Sequence, residues 1–153
     1  MNETSDIQLM AERLESLKAG IVGGLSLCLA FVITSFVNNF LLARYFTTLS
    51  SLRINTVNLQ FLLSAGIAGF SGLLFGVTYR YIIRCDQNPQ LKAGGVLAFG
   101  LVRGLTLVDA GLNSGAILPC IVLGLESILW FVMAAIALDF AMQLSWIKPF
   151  QSS

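Results

Sequence analysis

Two ionisable side chains stand in stretches otherwise fit to cross a membrane. Arg103 lies in the middle of KAGGVLAFGLVRGLTLVDAG, residues 92–111, and Glu126 in the middle of ILPCIVLGLESILWFVM, residues 117–133. A charge at the midplane of a bilayer costs about 2.5–3.5 kcal/mol even on the lenient insertion scale, so each of these groups needs a partner or a task. If the two stretches form an antiparallel hairpin turning near Asn113 and Ser114, residues at equal height have numbers that add up to about 228. Arg103 then lies level with position 125, and the expectation is a direct interhelical ion pair between Arg103 and Glu126. Asp109 is the rival acid, but six residues along a helix turn it off the Arg103 face. Such a pair could be a clamp that fixes the hairpin register. It could also hold a polar ligand, a proton or a pigment. In light-harvesting proteins a glutamate salt-bridged to an arginine ligates chlorophyll magnesium, although GLESILW around Glu126 does not match their motif. The residues call for no cofactor beyond that chlorophyll alternative.

A second group of charges, Arg80, Arg84, Asp86 and Lys92, crowds one short turn, the loop RCDQNPQLK of residues 84–92 and the end of the span before it. The two readings are topology-setting charge and a docking surface for a partner protein or anionic lipid head groups. The hairpin rule also brings Asp139 to the level of Pro89 to Lys92, where it can meet Lys92 or Arg84. No other constellation points to chemistry. The chain has no histidine, which removes the commonest neutral-pH base and metal ligand. Cys28, Cys85 and Cys120 are scattered and read as small packing residues rather than a metal site. A net charge of +1 gives no field for nucleic acid. The expectation is a protein that is not an enzyme.

The elements that must carry these residues are set by composition. Of 153 residues, 56% are hydrophobic and 11% charged, against about 25% charged in a soluble domain. The fold class expected is an all-α integral membrane protein with four transmembrane helices, a short amphipathic N-terminal helix and both termini cytoplasmic or stromal. Residues 1–18 carry Ile7, Met10, Leu14 and Leu17 at helical spacing among Glu12, Arg13, Glu15 and Lys18; they could lie on the membrane, meet a partner or extend the first span. The transmembrane domain, 19–144, divides into spans at about 19–42, 57–83, 93–110 and 116–144, the last interrupted early by Pro119. Residues 145–153 form a tail.

Small residues mark the helix contacts. Gly20 and Gly24 form a GxxxG, and Ser64, Ala68, Gly72 and Gly76 recur at every fourth place, with Ala65 and Gly69 beside them. In lipid such stripes let helices approach closely. They serve either a contact within the chain or a homodimer face. One side of the membrane would hold Arg13, Lys18, Arg80, Arg84, Lys92 and Lys148, the other Arg44 and Arg53, which puts both termini inside. Tyr79, Tyr81 and Trp146 would fall at that interface and Tyr45 at the opposite one. Trp130 and Phe131 would pack deeper.

The run RYIIRCDQNPQLKAGGVLAFGLVRGL, residues 80–105, resembles a signature of small multi-span membrane proteins of cyanobacteria and plant plastids. Arg80, Arg84, Asp86, Asn88, Pro89, Leu91, Lys92, Phe99, Gly100 and Arg103 carry the resemblance. It implies a photosynthetic setting, a thylakoid or a bacterial inner membrane, and no particular activity. The functional expectation is a non-enzymatic accessory, assembly or stabilising protein of a larger integral membrane complex. The alternative is a small oligomeric transporter or channel that uses Arg103, Glu126, Asn113 and Asp109 as a polar path.

Overall fold

The computed structural model describes residues 3–42, 59–83, 88–114 and 117–149. The described residues are helical throughout, with no strand, apart from short connecting and terminal residues. Helix α1 is Glu3–Val37 and runs on into a five-residue π turn, Asn38–Leu42. Helix α2 is Leu59–Ile82, α3 is Pro89–Ser114 and α4 is Ile117–Gln143. All four are long and apolar enough to cross a membrane. Large apolar side chains such as Leu25, Phe70, Val102 and Ile136 point outward, as a helix surrounded by lipid requires.

The N-terminal amphipathic stretch is not a separate surface element; it extends the first span. No proline or turn signal separates residues 3–18 from the apolar residues after them, so α1 passes through without a break. Helix α3 is longer than the span expected. Asn88 caps it, its Oδ1 accepting from the Gln90 N–H at 3.0 Å, and Pro89 takes the first helical position, where a missing N–H costs nothing. At its other end α3 absorbs residues 111–114, expected as a connector. Pro119 does not interrupt α4. It is the third residue of that helix, in the first turn, where backbone N–H groups have no intrahelical acceptor.

Glycine sets how closely the helices pack. In the α1/α2 seam a Cβ on Gly23 would strike the Gly72 carbonyl oxygen, one on Gly76 would strike that of Ala19, and one on Gly24 would lie 3.1 Å from that of Gly69. Cys28 adds a weak bond to the Ala65 carbonyl at 3.8 Å, in keeping with a packing role. In the α3/α4 seam Gly104 faces Gly124 and Gly100 faces Ile128, with a Cβ on Gly104 falling 2.8 Å from the Gly124 oxygen. The small-residue stripe of Gly20, Gly24, Ala68, Gly72 and Gly76 is thus taken up within the chain, and Ala68 is wholly buried.

Aromatic side chains fill the remaining space. Phe31 of α1 meets Trp130 of α4 edge-on at 5.7 Å, and the Trp130 Nε1–H donates to Thr34 Oγ1 at 3.2 Å. Phe75 of α2, Phe99 of α3 and Phe131 of α4 form a trio with centroids 5.1–5.7 Å apart. Such contacts stabilise by about 0.5–1.5 kcal/mol each beyond burial. Helix α4 ends in a Schellman motif. Ser145 is left-handed at φ 58°, its N–H donates to the Met142 carbonyl and that of Trp146 to the Ala141 carbonyl. The motif turns the chain back so that Ile147 is buried.

Candidate functional site

The expected ion pair between Arg103 and Glu126 does not form. Among the described residues the salt bridges are Lys18–Glu15, Arg80–Glu12 and Lys92–Asp139. The height was right and the faces were wrong. Gly104 opposes Gly124, as equal height demands, but each residue along a helix turns the side chain by about 100°. Arg103 is one step from the contact line and turns toward α2. Glu126 is two steps from Gly124 and turns toward α1. The chlorophyll geometry, a glutamate held by that arginine, is absent with the pair.

Glu126 is 8% exposed, and its Oε2 accepts from Asn38 Nδ2 at 3.2 Å. Asn38 opens the π turn and is itself 5% exposed, with no hydrogen-bond partner for its Oδ1. A π turn shifts the helix register locally, and here it coincides with the residue that meets the buried acid. Nothing in the sequence singles out Asn38 for this role; the visible signal is two adjacent asparagines in an apolar span.

Arg103 reaches into a groove between α2 and α3. The groove has a volume of about 610 Å³ and is floored by Phe131. The guanidinium carbon lies 4.9 Å from the centroid of the Trp130 ring, a cation–π distance. Nη1 donates to Ser71 Oγ at 3.5 Å, the long limit of a hydrogen bond, and the buried Nε has no partner. Ser71 directs its own proton to the Ile67 carbonyl at 2.7 Å, and Thr106 does the same to the Val102 carbonyl at 2.8 Å. The hydroxyls therefore present lone pairs, and Arg103 supplies the hydrogen-bond donors.

The loop of residues 84–92 is only partly described; Arg84, Cys85, Asp86 and Gln87 lie outside the described residues. Arg80 is not a docking residue. It sits inside α2, 0% exposed, pointing across the bundle. It pairs with the Glu12 carboxylate, donates through Nη1 to the Glu12 carbonyl at 3.0 Å and to Ser16 Oγ at 2.6 Å, and through Nε to the Lys148 carbonyl at 2.8 Å. The expected span, about 57–83, takes in Arg80, and α2 runs to Ile82 with Arg80 in its last turn; what fails is the outward, docking placement of the side chain, which turns into the bundle. Lys92 meets Asp139, as equal height required, at 3.1 and 3.2 Å, and Tyr79 donates to the same carboxylate at 3.2 Å. Asp139 thereby joins α2, α3 and α4. Arg80 and Lys92, the described cations of the expected docking loop, are both engaged within the fold. Among the described residues no group of acids and cysteines is placed to hold a metal ion. No known protein family, curated protein or solved structure matches the chain.

Proposed function

We propose that the protein is a multi-pass membrane accessory protein that binds a larger integral membrane complex laterally and catalyses nothing itself. The observation that carries this reading is the outward placement of Gly66 on α2 and Gly94 on α3. Glycines of the other helix faces are taken up inside the bundle, whereas nothing lies within 4 Å of where a Cβ would stand on either of these two. Ala98, one turn on from Gly94, is exposed as well. Outward small residues let a neighbouring helix approach closely in lipid. The resemblance of residues 80–105 supports a photosynthetic membrane, a thylakoid or a bacterial inner membrane. The excess of Lys and Arg on the side of residues 13, 18, 80, 84, 92 and 148 supports a cytoplasmic or stromal location for both ends.

The test is to tag the C-terminus, solubilise gently and separate native complexes. The expected result is comigration with a large complex that accumulates slowly when the gene is deleted. Gly94→Leu should release the protein from that complex without lowering its own melting temperature. Labelling of Cys85 from the lumenal or periplasmic side of sealed vesicles would overturn the orientation. A protein that runs alone or as a homo-oligomer, and passes ions or solutes in liposomes, would overturn the accessory role. It would favour the second reading, a small oligomeric transporter, for which the buried Glu126–Asn38 contact beside the π turn speaks.

A further inference from the structure

The groove between α2 and α3 has the size of a small-molecule site, about 610 Å³, against roughly 300–1,000 Å³ for known ligand pockets. Its wall is apolar along most of its length, with Ile67, Leu74, Val102 and Leu107 among the lining residues, and one cation stands in it, Arg103. No described carboxylate pairs with that cation, one of its nitrogens is buried without a partner, and its single hydrogen bond is long. Trp130 and Ser71 meet the guanidinium but carry no negative charge, and an intramembrane cation without a counter-charge is unfavourable, so an anion in the groove is favoured.

The shape narrows the class of anion. Arg103 lies fourteen residues from the start of α3, roughly 21 Å along the helix and far from either end. A bulky, multiply charged head group would have to leave water to reach that depth. A carboxylate carries one charge, matches one guanidinium in charge and planar geometry, and leaves nothing over. The groove reaches between two helices to Phe131. A partner helix, about 10–12 Å across, is too thick to reach that floor, whereas a polymethylene chain one carbon wide is not. The lining runs along both helices, from Leu74 and Ala98 past Arg103 to Ser64 and Leu107, so a chain starting at Arg103 lies along the seam.

We propose that this groove binds a long-chain carboxylate amphiphile of the fatty-acid class, with its carboxylate on Arg103 and its chain along the α2/α3 seam. This goes beyond the accessory role and needs no partner protein. The test uses the full chain purified into phosphatidylcholine vesicles, with Trp146→Phe, which leaves Trp130, beneath the guanidinium, as the remaining tryptophan. A fatty acid brominated along its chain is titrated in. The expected result is saturable quenching of Trp130, reversed by the unbrominated acid, with Arg103→Gln weakening half-saturation at least tenfold. The brominated methyl ester and brominated phosphatidylcholine, at the same membrane mole fraction, should quench weakly and without saturation. Equal quenching by the ester or the phospholipid would mean that the groove takes any acyl chain, and would overturn the proposal. So would an Arg103→Gln protein that binds the acid unchanged. If that variant does not fold, the comparison of head groups on the Trp146→Phe protein decides.

Discussion

Asn38 donates to Glu126 with its amide nitrogen and leaves its amide oxygen without a donor. A buried acceptor left unpaired costs about 1–3 kcal/mol, so the contact has room for improvement. Glu126→Gln would supply an N–H for Asn38 Oδ1 while its own oxygen still accepts from Nδ2. That variant should melt no lower than the parent in mild detergent. Glu126→Leu strands both ends of Asn38 and should lose about 1–3 kcal/mol. Equal losses in the two variants would show that the amide contact is not what holds the acid. Arg103 belongs to a separate set of neighbours, Ser71 and Trp130. In a double-mutant cycle Arg103→Leu and Glu126→Leu should therefore add to within about 0.5 kcal/mol. A coupling much larger than that would mean that the two charges meet after all.

At the scale of elements the close seams are glycine seams, and the prediction rests on which backbone a new Cβ would meet. Gly72→Ala aims a methyl group at the Gly23 carbonyl 2.5 Å away, and Gly76→Ala aims one at Ala19. Each should cost about 1–3 kcal/mol by forcing α1 and α2 apart, while Gly66→Ala, which meets nothing, should not. Thermal unfolding of the three variants compares them directly. Ser145→Gly should gain roughly 1 kcal/mol or less, since a left-handed residue other than glycine is strained. The same seams explain what the sequence could and could not reveal. The height of Arg103 against Glu126, and of Lys92 against Asp139, depends only on where the hairpin turns, and one turn near Ser114 gives both. Which way each side chain points depends on the line of closest approach. That line runs through Gly100, Gly104 and Gly124 and is set by packing. Gly23, the α1 glycine with the least room for a Cβ, lies one residue off the visible Gly20–Gly24 repeat for the same reason. Arg80 lies in the last turn of α2, where a charge marks the end of a span, yet it is buried because another helix and a folded-back tail cover it.

At the scale of the whole molecule, Arg80 joins three parts of the chain that sequence separates widely. Its guanidinium holds the first turns of α1 through Glu12 and Ser16 and the segment after α4 through the Lys148 carbonyl, while Glu15 accepts from the Lys148 N–H at 2.9 Å. Ile147, buried beside them, anchors the tail by packing. The arginine is wholly buried and its partner carboxylate about a third exposed. Removing the cation strands the Glu12 carboxylate and takes a donor from the Lys148 carbonyl, a loss below the roughly 3–5 kcal/mol of a fully buried pair because the carboxylate keeps some water. Much of that loss should be local, because the glycine and aromatic seams farther along the helices do not involve Arg80. Arg80→Leu should therefore leave a helical bundle that frays at this end. Trypsin should cut after Arg13 at least tenfold faster than in the parent, since cleavage within a helix waits for local opening. Arg80→Lys should fray nearly as much, because one ammonium cannot reach in the three directions that the guanidinium fork does. Unchanged cleavage at Arg13 in both variants would show that the start of α1 is held by its apolar contacts alone, and that the buried arginine is a passenger of the fold rather than its clasp.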